Sequence, residues 1–550
     1  MFQLPIQYNS PNEVDATIIQ DLELVSTVDV SGTPIYHTLY KPTTSAAKNI
    51  VSQMAKYYTK DTTFLKDSIQ FHKRFKHTLP SYSEFIEKWD VLNKNEEFKL
   101  TYQYLTYEKA SWLNESSKFM FFISLYFIAS PVLFIASPLM MLLMPFAIIR
   151  MQGYELSWDT YKEKLFEVTK KHALVNLFTG YTESTPKERM ILIVSACIFI
   201  VQTYCNGYAV YKFYTNIRDI HEIMEIVKNH IHHNLQAIQY VKSISSDLTS
   251  YNGFLSTLQT HEDVLSKYYS KIKDINPLKI SWNEFVNLGM LRSQFYELYS
   301  NKELAHSLDY SIQLCGYLEN IEHLSLQISN KKINNCTFST TTSFSHAYYP
   351  TDKPVKNSYK LNKNIIITGP NASGKTTFIK MTLINTLLSQ QIGCGFYKRA
   401  TISPYDTFCS YINIPDTSGR DSLFQAEARR CKQVLDSVKN KSQQVFCIFD
   451  ELFSGTNPKE ASASAFAFLQ YLSSQKNCTY LLTTHFLDVC RNLKDNQSIV
   501  MKNMKTSLKK DKLIYTYKLS NGLSTVYGGI SILVDMDYPI DIINNAKLCG

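Results

Sequence analysis

The run Ile365-Ile-Ile-Thr368 is followed at once by Gly369-Pro-Asn-Ala-Ser-Gly-Lys-Thr376 and then by a stretch with helical apolar spacing. β-Branched residues favour a strand and the glycines a tight loop, so this segment predicts a strand handing over to a helix through a loop of inward-turned backbone N–H groups. Such a loop suits phosphate. Gly369, Pro370, Asn371, Ala372, Ser373 and Gly374 form the cradle, Lys375 reaches the β- and γ-phosphates, and Thr376, followed by Thr377, offers a hydroxyl to Mg2+. The positive end of the helix adds to the attraction.

Two further strand ends are expected beside it. Val445-Phe-Cys-Ile-Phe449 is continuously apolar, as a buried parallel strand is, and ends in Asp450-Glu451. Asp450 is placed to hold Mg2+ and Glu451 to orient or deprotonate the attacking water. Thr479-Tyr-Leu-Leu-Thr483 ends in Thr484-His485. His485 would then emerge at the carboxyl edge of an open α/β sheet, where ligands bind, and becomes a candidate sensor of the γ-phosphate.

Together these residues resemble the ATPase domain of the MutS family. The family's G-P-N-x-x-G-K loop is matched by Gly369, Pro370, Asn371, Gly374 and Lys375. Its D-E-x-x-x-G-T box is matched by Asp450, Glu451, Gly455 and Thr456, and its T-T-H switch by Thr483, Thr484 and His485. In Ser418-Gly-Arg-Asp-Ser-Leu-Phe-Gln-Ala-Glu427, the residues Ser422, Phe424 and Glu427 are similar to the S-x-F-x-x-E segment. The resemblance implies ATP and Mg2+ as ligands, ATP hydrolysis, and a homodimer formed through the ATPase domain in which Ser422 serves the nucleotide of the opposite subunit. The tail from Tyr517 to Gly522 and on to Tyr527-Gly528 follows the family's closing strand and turn. The similarity runs from about Lys363 to Ala546.

Departures bear on DNA. Phe453 and Ser454 stand where the family has Gly-Arg, and Asn457-Pro458-Lys459-Glu460 is closer to the subfamily that does not read mismatches. No room for the mismatch-reading domain is found before Lys118, and Phe295-Tyr-Glu297, which matches its Phe-x-Glu wedge in letters, lies in a long helical stretch. The sequence ends at Gly550, soon after the ATPase fold is expected to close, with no helix-turn-helix or nuclease module expected in it. DNA remains a partner by resemblance only.

The 550 residues, 45% hydrophobic and 19% charged, fit a globular chain with two or three cores. A net charge of +9 over that length permits an anionic partner without requiring one. The eleven cysteines include no C-x-x-C pair. They fall inside expected strands and helices, Cys447 and Cys197 among them, which predicts buried thiols in a reducing compartment and no disulfide framework or zinc site.

Two apolar stretches break the globular pattern. Phe119 to Ile149, about 30 residues, and Met190 to Val210, about 20, are long enough to cross hydrocarbon. Pro131, Pro138 and Pro145 in the first would share one face of a kinked helix or mark a broken, re-entrant hairpin. Two crossings would return the chain to its starting side, placing Arg150 to Arg189, with Lys162, Lys164, Lys170 and Lys171, opposite a cytosolic ATPase domain; a monotopic hairpin is the alternative. Met1 to Lys60 shows no cleavable signal pattern.

Elsewhere the first 330 residues read mainly as helix, including Thr43 to Lys76, an amphipathic Ile217 to Tyr251, and Leu255 to Gln327 with a break near Pro277. Asn334 to Lys363 is expected to link these helices to the ATPase domain, supplying its first strand and Tyr348 or Tyr349 near the adenine. Lys502 to Lys518, with Lys505, Lys509, Lys510 and Lys512, predicts a β-hairpin whose lysines form a solvated tip or an anion-binding patch. The expected fold is an α/β P-loop ATPase domain of the ABC type, similar to MutS, fused to a mainly α-helical core and lever region with a transmembrane hairpin. Its divisions are 1–117 (helical core), 118–215 (membrane hairpin), 216–333 (helical lever) and 334–550 (ATPase). The function expected is Mg-ATP hydrolysis in a composite dimer site, moving helical levers at a membrane or serving a domain that is only anchored there. The alternative is a repair-type DNA-binding relative.

Overall fold

The computed structural model describes residues 2–29, 31–155, 157–169, 185–275, 282–412, 414, 422–509, 512–524, 533–534 and 536–549. Lys170, Lys171, Pro277, Ser418 to Asp421, Lys510 and Tyr527-Gly528 lie outside them. Contacts divide the chain into two units: Met1–Pro80 with Gln236–Glu262 and Tyr310–Gly550, and Ser81–Leu235 with Asp263–Asp309.

The first unit holds a six-stranded sheet in the order Lys512–Asn521, Ile499–Lys509, Asn364–Thr368, Cys478–Thr483, Val445–Asp450, Thr407–Tyr411. All neighbours run parallel except the outer strand Lys512–Asn521. Ile365 to Ile367 and Val445 to Phe449 are buried, which is why these strands read as unbroken apolar runs rather than alternating ones. Strand Cys478–Thr483 is interposed between the other two motif strands, with Leu482 opposite Ile366 on one side and Phe449 on the other. The tips carrying the phosphate loop, Asp450-Glu451 and Thr483-Thr484-His485 therefore end side by side. A second sheet of five strands uses Asn334–Phe338, Ser343–Ala347 and Asn357–Lys360 from the expected linker, with Cys394–Gly395 and Arg399–Ile402.

Helix Lys375–Gln391 is buried almost throughout, including Thr382, Asn385, Thr386, Ser389, Gln390 and Gln391. Buried polar groups must be paired, and these are. Tyr359 Oη and Thr382 Oγ1 lie 2.7 Å apart, and Asn385 Oδ1 accepts from Phe396 N at 2.6 Å. Gln390 donates to Tyr405 O at 2.9 Å and accepts from Tyr405 N at 2.8 Å. Gln391 donates to Met54 O at 3.1 Å and Tyr57 O at 2.9 Å, and accepts from the Tyr36 hydroxyl. The N-terminal segment thus closes over the C-terminal end of the helix. It is not one helix from Thr43 to Lys76: Ser45–Met54 and Thr62–Arg74 are separated by Tyr57–Tyr58, which pairs with Asn12–Glu13. The break follows from capping, since Asp61 accepts from Thr63 N at 2.8 Å and starts the second helix afresh.

The second unit is helical among the described residues. Ser117–Met151 is one continuous helix, so Pro131, Pro138 and Pro145 do not break it into a re-entrant hairpin. The sequence itself supplies part of the reason. Proline at position i leaves the carbonyl of i−4 unpaired, and here Ser130 Oγ donates to Phe127 O at 3.1 Å while Ser137 Oγ donates to Phe134 O at 2.8 Å. Each Ser-Pro pair therefore replaces the donor that its proline removes. The second apolar run and the amphipathic stretch after it form a single helix, Pro186–Ser245. It meets the first through Phe127–Phe213 and Phe134–Phe199, with ring centroids 5.4 and 5.0 Å apart. Both helices have the length and composition to cross a membrane, and their most apolar windows are only 11% and 6% buried. Cys197 and Cys205 are exposed here, against the expectation of buried thiols, while Cys447, Cys431 and Cys478 are buried. Phe295 is a core residue of helix Trp282–Ser300 and Glu297 pairs with Lys271 at 2.7 Å, so this triplet is structural.

Gln391→Leu keeps the bulk but strands the Met54 and Tyr57 carbonyls and the Tyr36 hydroxyl in the core. The expected loss is about 2–4 kcal/mol, read as a lower urea midpoint at unchanged slope.

Candidate active site

The phosphate loop turns at Gly374, whose φ of +91° is left-handed and suits glycine. Lys375 then begins the helix, with its Nζ 3.1 Å from Gly369 O and 3.2 Å from Pro370 O. Burial pulls the Lys375 pKa down, and Glu451 and Asp450 act in the opposite sense. A buried ammonium held by carbonyl dipoles, with carboxylates nearby, is a strong anion-binding element. Ser373 Oγ, buried in the same loop, has no hydrogen-bond partner in the protein. Both observations fit a polyphosphate in this cradle.

Asp450 accepts from Thr376 Oγ1 at 2.8 Å and from the Thr483 hydroxyl. Thr376, in the first turn of helix Lys375–Gln391, and Asp450, at the tip of its strand, are hard oxygen donors of the kind Mg2+ takes. The role of Thr483 in fixing Asp450 is absent from the sequence reading; only the register, which places Thr483 opposite Asp450, reveals it.

Glu451 follows with φ +54°, an uncommon conformation for a non-glycine residue. Its Oε1 lies 2.9 Å from His485 Nε2, which is also 3.1 Å from Lys375 Nζ. One nitrogen cannot donate to the carboxylate and accept from the ammonium at once. The shorter contact assigns the proton to Nε2 facing Glu451, and this hydrogen bond holds the Glu451 carboxyl below its ordinary pKa.

A cleft of about 460 Å³ opens over the loop, lined by Asn371 to Thr377 and Glu451, and beyond them by Tyr349, Lys353, Asn357, Met381 and Tyr517. Of the two tyrosines expected near a base, Tyr349 lines it. Tyr348 instead donates to Lys332 O and packs on Phe396. Asn357 and Tyr517 were missed as site residues: Asn357 donates to Tyr517 O at 3.1 Å and accepts from Leu519 N at 2.9 Å, fixing the strand that forms one wall. No local motif marks that pairing.

Ser422 is not among the residues lining this cleft. It is exposed and caps helix Leu423–Val438, accepting from Gln425 N at 3.3 Å while the Gln425 side chain accepts from Ser422 N at 3.0 Å. Glu427, buried in that helix, accepts from Ser454 N at 2.9 Å and Gly455 N at 3.2 Å. It therefore shapes the loop behind Glu451 rather than the chemistry. Asn457 caps the next helix, Pro458–Ser473, which accounts for the Asn-Pro-Lys-Glu sequence as a helix start.

Comparison with known proteins places this part of the chain beside one family. The MutS domain V family matches residues 365–549. MutS protein homolog 4 of Mus musculus is 31% identical over 206 residues, covering 34% of this chain and 21% of that protein. DNA mismatch repair protein MutS of Petrotoga mobilis is 30% identical over 186 residues, covering 33% and 22%. Endonuclease MutS2 of Fusobacterium nucleatum is 28% identical over 217 residues, covering 37% and 26%. The chain thus spans about a fifth to a quarter of the length of these relatives. Residues 365–549 thus carry the likeness to MutS domain V.

Proposed function

We propose that the chain binds Mg-ATP and hydrolyses its terminal phosphate in a site completed by a second copy, and that the cycle acts on helices held at a membrane. The observation that carries the catalytic part is the cluster of Lys375, Glu451 and His485 around one nitrogen, beside the Thr376–Asp450 pair. Lys375 binds and orients phosphate oxygens. Thr376 and Asp450 would hold Mg2+, which supplies Lewis acidity toward those oxygens. Glu451, kept ionised by its His485 hydrogen bond, takes the proton of the attacking water, and His485 responds to charge at the γ-position.

Exposure of Ser422 at a helix N-terminus, away from its own cleft, supports its service to the partner copy. Two uncovered apolar helices support membrane association, with the ATPase domain facing the cytosol, where ATP is. The unbroken helix Pro186–Ser245 is suited to act as the lever.

DNA binding is the second reading, favoured by the names of the relatives, two of which are a DNA mismatch repair protein and an endonuclease. A fluorescence-anisotropy titration with duplex DNA distinguishes the two. The membrane reading expects only non-specific affinity, with Kd in the range of about 10⁻⁴–10⁻⁶ M near physiological salt, unchanged by a mismatch. Mismatch-sensitive binding at nanomolar concentration would establish the second reading instead.

Glu451→Gln is expected to retain ATP and slow steady-state hydrolysis by about a hundredfold or more; an unchanged rate removes the residue from the mechanism. A heterodimer of Lys375→Ala with Ser422→Ala, isolated through two different tags, carries one intact composite site and is expected to regain about half the wild-type rate, by the additivity expected of independent sites. A heterodimer no more active than either parent rules out the shared site.

A further inference from the structure

We propose that the part of the chain embedded in lipid is Phe127–Ile149 together with Met190–Tyr211, and that the apolar residues before it, Phe119 to Tyr126, stay on the protein side of the interface. This rests on the membrane reading above and assigns its boundaries.

Arg292 marks the near boundary. It is 1% exposed, and its guanidinium donates to Ser124 Oγ at 3.1 Å, to Gln103 O at 2.7 Å and to Tyr102 O at 3.3 Å. The Tyr104 and Phe213 rings lie 5.2 and 5.4 Å from it. One cation therefore puts Ser124 of the proline helix and Phe213 of the long helix at the same level.

On one side of that level the protein covers one face of each helix. Met120 and Ser124 are buried, Phe121 packs on Phe285 at 5.7 Å, and Phe213, Ile217 and Ile220 are buried at helical spacing along the long helix. On the other side Leu192 alone is buried among the described side chains of the two segments, and Val132, Ile135, Ile198 and Ile200 are 68%, 59%, 63% and 66% exposed. Apolar surface of this extent marks an interaction face.

Lipid is the occupant that fits. No charged residue occurs between Lys118 and Arg150, or between Arg189 and Lys212. The assigned segments extend about 35 and 33 Å at helical rise, against a hydrocarbon core of about 30 Å. Both ends carry the groups that favour headgroups. At the near end Tyr126, Tyr208 and Tyr211 are exposed beside Lys212. At the far end are Arg150, Lys187 and Arg189, and helix Trp158–Thr169 folds back so that Trp158 and Tyr161 each meet Phe146 at 4.8 Å. A second copy packing on this face would need neither the uncharged length nor the paired aromatic and cationic ends.

The test uses the full chain with phosphatidylcholine and phosphatidylglycerol vesicles, scoring the fraction that resists alkaline carbonate extraction. Ile135→Arg and Ile198→Arg put a charge deep in the assigned segments and are expected to lower that fraction at least tenfold. Phe122→Arg and Met151→Arg lie outside them and are expected to leave it within twofold, with circular dichroism melts confirming that all four variants fold. An equal loss from Phe122→Arg and Ile135→Arg overturns the boundary and leaves the membrane reading standing. Wild-type chain that never enters vesicles overturns the membrane reading itself, and stable lipid-free oligomers in its place assign the face to a second copy.

Discussion

The candidate site depends on a helix that is buried after its first turn almost throughout. Lys375–Gln391 carries Lys375, proposed to bind phosphate, at one end and a run of polar side chains at the other, and nearly all of it is buried. Such a helix is stable only because its amides and hydroxyls have specific acceptors and donors in neighbouring segments. Those partners are far apart in the chain, among them Tyr36, Met54, Tyr57, Tyr359 and Tyr405. The N-terminal segment, which contributes no residue to the chemistry, is therefore part of what holds the phosphate loop in place.

Three acids near the site have three separate tasks, and their surroundings set each one. Asp450 is oriented by two hydroxyls, Glu451 is ionised against a histidine, and Glu427 is consumed by the backbone of the loop behind them. Fixing Asp450 and shaping the loop beforehand means that little rearrangement has to accompany the reaction, and electrostatic stabilisation acts best under that condition.

The phosphate loop, Asp450-Glu451 and His485 were legible in the sequence because each sits where a buried strand stops, and buried strands announce themselves as apolar runs. Their adjacency was expected, but not the order that produces it: strand Cys478–Thr483 lies between the other two, a long-range pairing that no local pattern encodes. The same limit applies to Asn357, whose task is to hold Tyr517, and to Tyr348, which local spacing cannot distinguish from Tyr349. In the helical region composition identified both apolar stretches, yet continuity through Pro131 and Pro138 turned on serine hydroxyls one residue before each. The fusion of two expected elements into Pro186–Ser245 is possible because Tyr208 to Asn216 contains neither proline nor glycine to break the helix. Cys197 was misjudged because an exposed apolar helix and a buried one have the same composition.

The left-handed backbone at Glu451 sets stability against function. A residue with a Cβ gives up about 1 kcal/mol to adopt that geometry, and glycine would adopt it freely while discarding the carboxylate. Selection of variants for heat resistance alone would thus favour glycine here, and under the proposed mechanism that change silences the protein.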